Sequence, residues 1–309
     1  MGSKKVSKGI SSRRVIVTSF FVDFLDVLSS FVVTVLSGSV IMLSQLLEGM
    51  ADLISSGFLL IGLFKSSRKE DKIHPFGYGR EIYFWTLISA LVMFGITSTL
   101  SIYFGWQRFA HPQPIFHLPL AFAILGVTLF TNGYGFALSF RRLLRNKSAF
   151  EIIRVFFRSS LVEIKTTFIL DLMGTLASLL GLLALIFYKI TGDLRYDGLG
   201  AILIGLVLAF FAYLLILGIR DLMIGKSASL EIEEKIREVA LSVDEVREVL
   251  DLKTLHLGSE KLLVNLDVHM QKELKTQKLE KLIEKIKLNI QKEVPSVKYL
   301  QVELETRRK

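Results

Sequence analysis

The chain has 309 residues, 51% of them apolar, with 23 Phe, 5 His and no Cys. Without cysteine it forms no disulfide, no thiolate metal site and no thiol redox centre. Its net charge of +9 does not mark a nucleic-acid binder: residues 227–309 carry 16 basic and 16 acidic side chains, leaving 22 basic against 13 acidic before them.

The apolar residues are concentrated into long runs. Six stretches, roughly 14–37, 39–64, 83–107, 117–140, 163–188 and 197–219, have the length of about 20 residues that a helix needs to cross a hydrocarbon core of about 30 Å. Residues 1–13 form a short basic segment. The run after it is longer than a signal-peptide core, carries Asp23 and Asp26, and lacks a clear small-residue cleavage site, so it is expected as a retained first span. Basic residues gather before span one (Lys4, Lys5, Lys8, Arg13, Arg14) and between spans two and three (Lys65, Arg68, Lys69, Lys72, Arg80). A third group (Arg141, Arg142, Arg145, Lys147, Arg154, Arg158, Lys165) separates spans four and five. The alternate loops hold only Arg108 in one and Lys189 and Arg195 in another. By the positive-inside rule both termini face the cytoplasm, and the chain is expected as a multi-pass protein of the cell (inner) membrane.

After residue 226 the pattern changes. Residues 230–243 are apolar at helical spacing with a Glu-rich first turn, which suits the helix dipole. Two strand-like runs follow, 246–256 and 261–270, joined by Leu257-Gly258-Ser259-Glu260; the second alternates Leu263, Asn265, Asp267 and His269 with period two. An amphipathic Lys/Glu helix over 275–292 and a last strand over 297–305 complete the chain. The expected fold is a membrane all-α six-helix bundle over 14–226. A C-terminal cytoplasmic α+β domain of ferredoxin or metallochaperone-like α-β-β-α-β order follows over 227–309.

Ionisable groups inside a span are costly and mark candidate sites. Glu48 and Asp52 stand four apart on one face of span two, and Asp171 lies inside span five. Three such carboxylates from neighbouring helices make hard oxygen donors for a divalent cation. The alternative, a carboxylate paired with a basic residue, finds no Lys or Arg within span two. Thr167 shares the face of Asp171; its hydroxyl is either a weak fourth ligand or bonded to its own backbone. Asp23, Asp26 and Asn132 either line an aqueous route and relay protons or pack against polar neighbours.

Three stretches resemble the cation diffusion facilitator family: GSV…EGMAD in span two, DKIHPFGYGRE after it, and YDGLGAILIGL opening span six. The resemblance covers residues 14–305, and the HPFGYGREIYFW and DLMIGKSA segments are most similar to the zinc-transporter-nine branch. It implies a homodimeric secondary transporter, not an enzyme. Such a protein exports a divalent metal cation in exchange for protons by alternating access, with the metal as substrate and no organic cofactor. The family's ligand positions fall on Glu48, Asp52, Thr167 and Asp171, and Thr167 stands where zinc-selective members have His. Losing the imidazole leaves oxygen donors, which favours Mn²⁺, Fe²⁺ or Mg²⁺, with Co²⁺ and Zn²⁺ as alternatives. It also removes the group that titrates near neutral pH, so proton coupling falls to carboxylates.

The family's second site, in the loop after span two, matches Asp71 and His74, with Tyr78 where a second His would stand. The same residues can simply shape a turn that caps span three. In the tail, the family's ligand positions fall on Asp267, Gln301 and Glu303, while His256 and His269 lie off them. The tail is therefore expected to dimerise without a full metal cluster. The departures at Thr167 and in the tail keep a transport-inactive scaffold or partner subunit open. A membrane-embedded metal-dependent enzyme needs His ligands and an open position, and no His stands near Glu48 or Asp171 in the sequence.

Overall fold

A computed structural model describes residues 12–143, 162–259, 261–271 and 275–305. Its first part is helical: α1 Ser12–Ser37, α2 Val40–Ser66, α3 Glu81–Ala110, α4 Leu118–Leu143, α5 Val162–Thr191 and α6 Arg195–Ile224. Five of these, α2 to α6, are long and apolar enough to cross a membrane, and α1 contributes a shorter apolar stretch, Phe24–Ser37. The protein is a six-helix membrane bundle followed by a small α+β unit. Of the basic groups expected at the helix ends, Lys4, Lys5, Lys8, Arg145, Lys147, Arg154 and Arg158 lie outside the described residues.

The helices run past the hydropathy-defined spans because helical hydrogen bonding continues into the interface until a residue stops it. Gly38, Gly192 and Gly225 do this for α1, α5 and α6, at φ of 62°, 72° and 132°. Each donates its N–H back four residues, to Thr34, Tyr188 and Asp221 respectively, the bond of a left-handed C-cap that glycine adopts without steric cost. One feature was not foreseen: α3 widens into a π-helical stretch at Met93–Ser98.

The described residues fall into two compact units. The first takes in α1, α2 as far as Gly62, α3 from Trp85, α4, and Glu163–Leu217. Its helices meet through small residues, as bilayer helices do when close backbone contact drives association. Gly105 and Gly198 bring α3 and α6 together: a Cβ on Gly105 would lie 2.8 Å from the Ile202 nitrogen and 2.9 Å from the Gly198 carbonyl. Beside that crossing, Ser101 donates to the Ala201 carbonyl at 3.1 Å and shares a 2.6 Å hydrogen bond with Ser44 of α2.

The second unit holds Leu63–Phe84 and the chain from Gly218. It contains α7 Leu230–Leu241, β1 Val246–Gly258, β2 Lys261–Met270, α8 Thr276–Glu293 and β3 Val297–Leu304, the expected α-β-β-α-β order. The sheet runs β1-β2-β3, with β1 antiparallel and β3 parallel to the central β2. Leu262, Val264, Leu266 and Val268 point to one face and are covered by Ile236 and Ala240 of α7 and Leu282, Ile286 and Ile290 of α8. Period two in the strand and a 3–4 spacing in the helices are what let these apolar sets meet.

The α2–α3 loop packs onto this same unit. The Tyr299 hydroxyl donates to Glu70 Oε1 at 2.7 Å, and Phe76 meets the Tyr299 ring edge-on at 5.2 Å. Gly79 lies against the backbone of Leu257 and Gly258, where any Cβ would clash.

Candidate metal site

Three carboxylates of the helical unit each rest against a glycine on a neighbouring helix. Glu48 of α2 is buried at 2% exposure, and a Cβ on Gly174 of α5 would lie 2.7 Å from its Oε1 and run into the Asn132 carboxamide of α4. Asp171 of α5 faces Gly135 of α4, where an added Cβ would lie 2.8 Å from Oδ1. Asp26 of α1 faces Gly49 of α2, with the corresponding distance to Oδ2 at 3.3 Å. Missing side chains thus supply the room that polar groups occupy inside apolar helices. Neither spacing nor hydropathy points to these glycines.

The surrounding groups are donors. Gln45 Nε2 donates to Glu48 Oε2 at 2.6 Å, and Ser139 Oγ donates to Asp171 Oδ2 at 2.8 Å. Ser178 of α5 bridges Gln45 Oε1 at 3.4 Å and Thr128 Oγ1 of α4 at 3.1 Å. A polar seam therefore runs between α2, α4 and α5, and Gln45, Ser139, Ser178 and Thr128 belong to it although the sequence did not single them out. Among the described residues, no three His, Asp or Glu side chains converge closely enough to hold a metal ion.

The remaining candidates fall as follows. Asp52 is half-buried one turn beyond Glu48. Thr167 is exposed, while its neighbour Thr166 is buried at 2%. Asn132 joins Glu48 at Gly174. Asp23 lies on α1, with its side chain outside what is described.

In the α2–α3 loop, Asp71 organises a turn. Its Oδ1 accepts the Ile73 and His74 backbone N–H groups at 2.9 and 2.6 Å, and its Oδ2 accepts the Tyr78 hydroxyl at 2.6 Å. His74 Nδ1 stands 3.8 Å from Asp71 Oδ1. The Tyr78 hydroxyl, then the backbone donors, hold the Asp71 carboxyl below the usual carboxylate range, and the same bond raises Tyr78. A depressed folded pKa adds stability above the unfolded value, and that stability is lost as pH falls through the folded one. The loop is thus expected to keep its turn on acidification until Asp71 protonates below the usual Asp range. Tyr78→Phe is expected to move that transition up in pH. Carboxyl NMR of Asp71 in both proteins measures it; an unchanged midpoint refutes the assignment.

In the tail unit, Asp267 pairs in register with Asp251 on one side and Glu303 on the other, so three carboxylates form a row across the sheet. Lys253 Nζ sits 3.0 Å from Asp251 Oδ2, and Gln301 donates to Glu303 Oε1 at 2.7 Å. The hydrogen bond to Asp251 raises the Lys253 pKa, with Asp267 and Glu303 adding to it. Asp251 was not anticipated, because only the strand register brings it beside Asp267. His256 is buried at 3%, and the His269 ring meets the Glu305 carbonyl at 3.1 Å.

A bundle of long apolar helices with buried carboxylates between them defines a multi-pass membrane protein with a polar intramembrane centre. The chain belongs to the cation efflux family: the model of the cation efflux transmembrane domain matches residues 16–222, and that of the cation efflux protein cytoplasmic domain matches residues 228–306. It is 26% identical over 247 residues to the human proton-coupled zinc antiporter SLC30A9, mitochondrial, covering 79% of this chain and 44% of that protein. It is 24% identical over 249 residues to metal tolerance protein C4 of Arabidopsis thaliana, covering 80% and 54%. The chain thus spans about half the length of these relatives. Among solved structures, the nickel form of a MamM CTD variant matches at 20% identity and a TM-score of 0.24, covering 25% of this chain and 98% of that one.

Proposed function

We propose that this chain is a divalent-cation transporter that exports metal from the cytoplasm in exchange for protons, by alternating access in a homodimer. The metal is bound as substrate by Glu48, Asp52 and Asp171, with Thr167 in the fourth family position. Asp26 and Asn132 line the route. The observation that carries this reading is Glu48, a carboxylate at 2% exposure inside an apolar helix, where an ionisable group persists only for a function that needs it. Family membership supports transport over hydrolysis. Relatives named as a proton-coupled zinc antiporter support the proton exchange.

The boundaries follow from the same reading: a cytoplasmic segment 1–13, a membrane domain 14–226, and a cytoplasmic dimerisation domain 227–309, in the cell membrane. The family model matching residues 228–306 is one of a cytoplasmic domain, which supports the tail's side.

With Thr167 in place of an imidazole, the donors are oxygens, and the harder Mn²⁺, Fe²⁺ and Mg²⁺ are favoured, with Co²⁺ behind them. Zinc is the second reading, carried by the relatives named as zinc antiporters. Flux into proteoliposomes under a pH gradient, with Mn²⁺, Fe²⁺, Co²⁺, Zn²⁺ and Mg²⁺, separates the two. Proton-dependent flux of the harder ions is expected. A strong preference for Zn²⁺ defeats the oxygen-donor argument, and no flux of any ion turns the reading to a scaffold.

A further inference from the structure

Helix α2 carries Glu48 and Asp52, and the way it begins is unusual. Only Gly38 and Ser39 separate it from α1, and its first N–H groups, like those of any helix, have no partner within the helix. They are met by a carboxylate 157 residues away: Asp197, in the first turn of α6, accepts the Val40 N–H on Oδ2 at 3.0 Å and the Ile41 N–H on Oδ1 at 3.1 Å. The Ser39 hydroxyl donates to the same Oδ1 at 2.6 Å. A negative group at a helix N-terminus is also favoured by the dipole.

Asp197 is fully buried, and its counter-charge is Arg108 near the end of α3, itself 6% exposed, with Nε 2.8 Å from Oδ2. The rest of the guanidinium is used as well: Nη1 donates to Gln113 Oε1 at 3.0 Å and Nη2 to the Gly38 carbonyl. Arg108 therefore grips the α1–α2 turn while Asp197 grips the first turn of α2, and each grips the other. Three separate elements, the start of α2, the end of α3 and the start of α6, close on one ion pair.

A buried ion pair of this kind rarely stabilises more than packed apolar side chains would, and in some proteins buried polar groups are kept because they fix register. The register at stake is that of α2. Glu48 follows Val40 by eight residues, about 12 Å along a rigid helix rising about 1.5 Å per residue, so a shift or rotation at the first turn is delivered to Glu48 and Asp52. We propose that Asp197 and Arg108 are positioning residues for transport: they fix the height and rotation of α2 so that Glu48 and Asp52 are presented to α5 in metal-binding geometry. Ser39 is the third member of the set. This rests on the metal-site reading above.

The test is the metal-concentration dependence of Mn²⁺ and of Zn²⁺ flux in proteoliposomes of the full chain, for wild type, Ser39→Ala, Asp197→Asn and Asp52→Ala. Asp197→Asn keeps the size of the side chain and removes the charge; Ser39→Ala removes the hydroxyl's bond to Asp197 and the 3.4 Å bond it accepts from the Met42 N–H, and leaves the ion pair in place. A misplaced ligand set is expected to raise KM about tenfold in Asp197→Asn, and by a few-fold in Ser39→Ala, with the maximal rate per assembled protein little changed. A purely structural role predicts less assembled protein with a wild-type KM, and that result overturns the proposal. If Asp197→Asn does not assemble, the KM of Ser39→Ala decides the matter alone. Wild-type transport by Asp52→Ala would instead overturn the metal site, and the positioning role with it. Lost transport in Asp52→Ala beside an unchanged KM in Ser39→Ala overturns the positioning role alone.

Discussion

Asp52→Ala and Asp171→Ala are each expected to abolish metal flux while leaving the protein assembled. The loss should exceed about 100-fold, because even a residue that only supports a metal ligand costs roughly 10–100-fold when removed. Two physical facts make assembly the safe half of this expectation. Both carboxylates are half-buried rather than sealed in the bundle, so truncation leaves no large dry cavity. Replacing a charged group in a membrane helix by alanine also removes a desolvation cost instead of adding one. Folding and chemistry therefore pull in opposite directions, and flux per assembled protein separates them. Asp171 has the sharper forecast: Ser139 donates to it and Gly135 leaves it room. Gly135→Ala, which sets a methyl group 2.8 Å from Oδ1, is expected to mimic the loss in part. If both carboxylate variants carry metal at wild-type rates, the ion is bound elsewhere.

Much of the architecture was legible because two periods dominate this chain. Runs of about 20 apolar residues can hardly do anything but span a bilayer, and the alternation of Leu262, Val264, Leu266 and Val268 can only build one buried sheet face. What escaped the sequence depends on which elements meet. The α2–α3 loop reads as a turn, and nothing local says that Glu70 will meet Tyr299, 229 positions away. Asp251 looks like an ordinary strand acid until the register sets it beside Asp267. Gly49, Gly135 and Gly174 look like common membrane-helix glycines, and their use appears only when Asp26, Asp171 and Glu48 are seen against them. Asp197 reads as a favourable charge in the first turn of its own helix, whereas the structure spends it on the first turn of another. Candidate groups were thus found by what they cost in a membrane; their partners follow from helix crossings that a single chain does not encode locally.

Thr167→His is expected to change the ion rather than the rate. The substitution puts a borderline-soft imidazole four residues before Asp171, on the same helix face, where the present chain has a hydroxyl. Zinc gains from nitrogen ligation and Mn²⁺ or Mg²⁺ do not, so the Zn²⁺-to-Mn²⁺ flux ratio should rise by about tenfold or more, the scale of one good ligand. The new group also titrates near neutral pH, so flux should gain an imidazole titration between about pH 5 and 8 on top of the proton dependence that the carboxylates give the parent. The two signatures are independent: the first reads ligand chemistry, the second reads a proton. The exposure of Thr167 beside the buried Thr166 makes the result decisive. A ratio that stays at the parent value, in protein that still transports, means that the position faces away from the ion and that selectivity is set by the carboxylates and their donors, Gln45 and Ser139. A rise in both ratio and pH dependence means that a single hydroxyl, standing where an imidazole fits, sets which metal the helices accept.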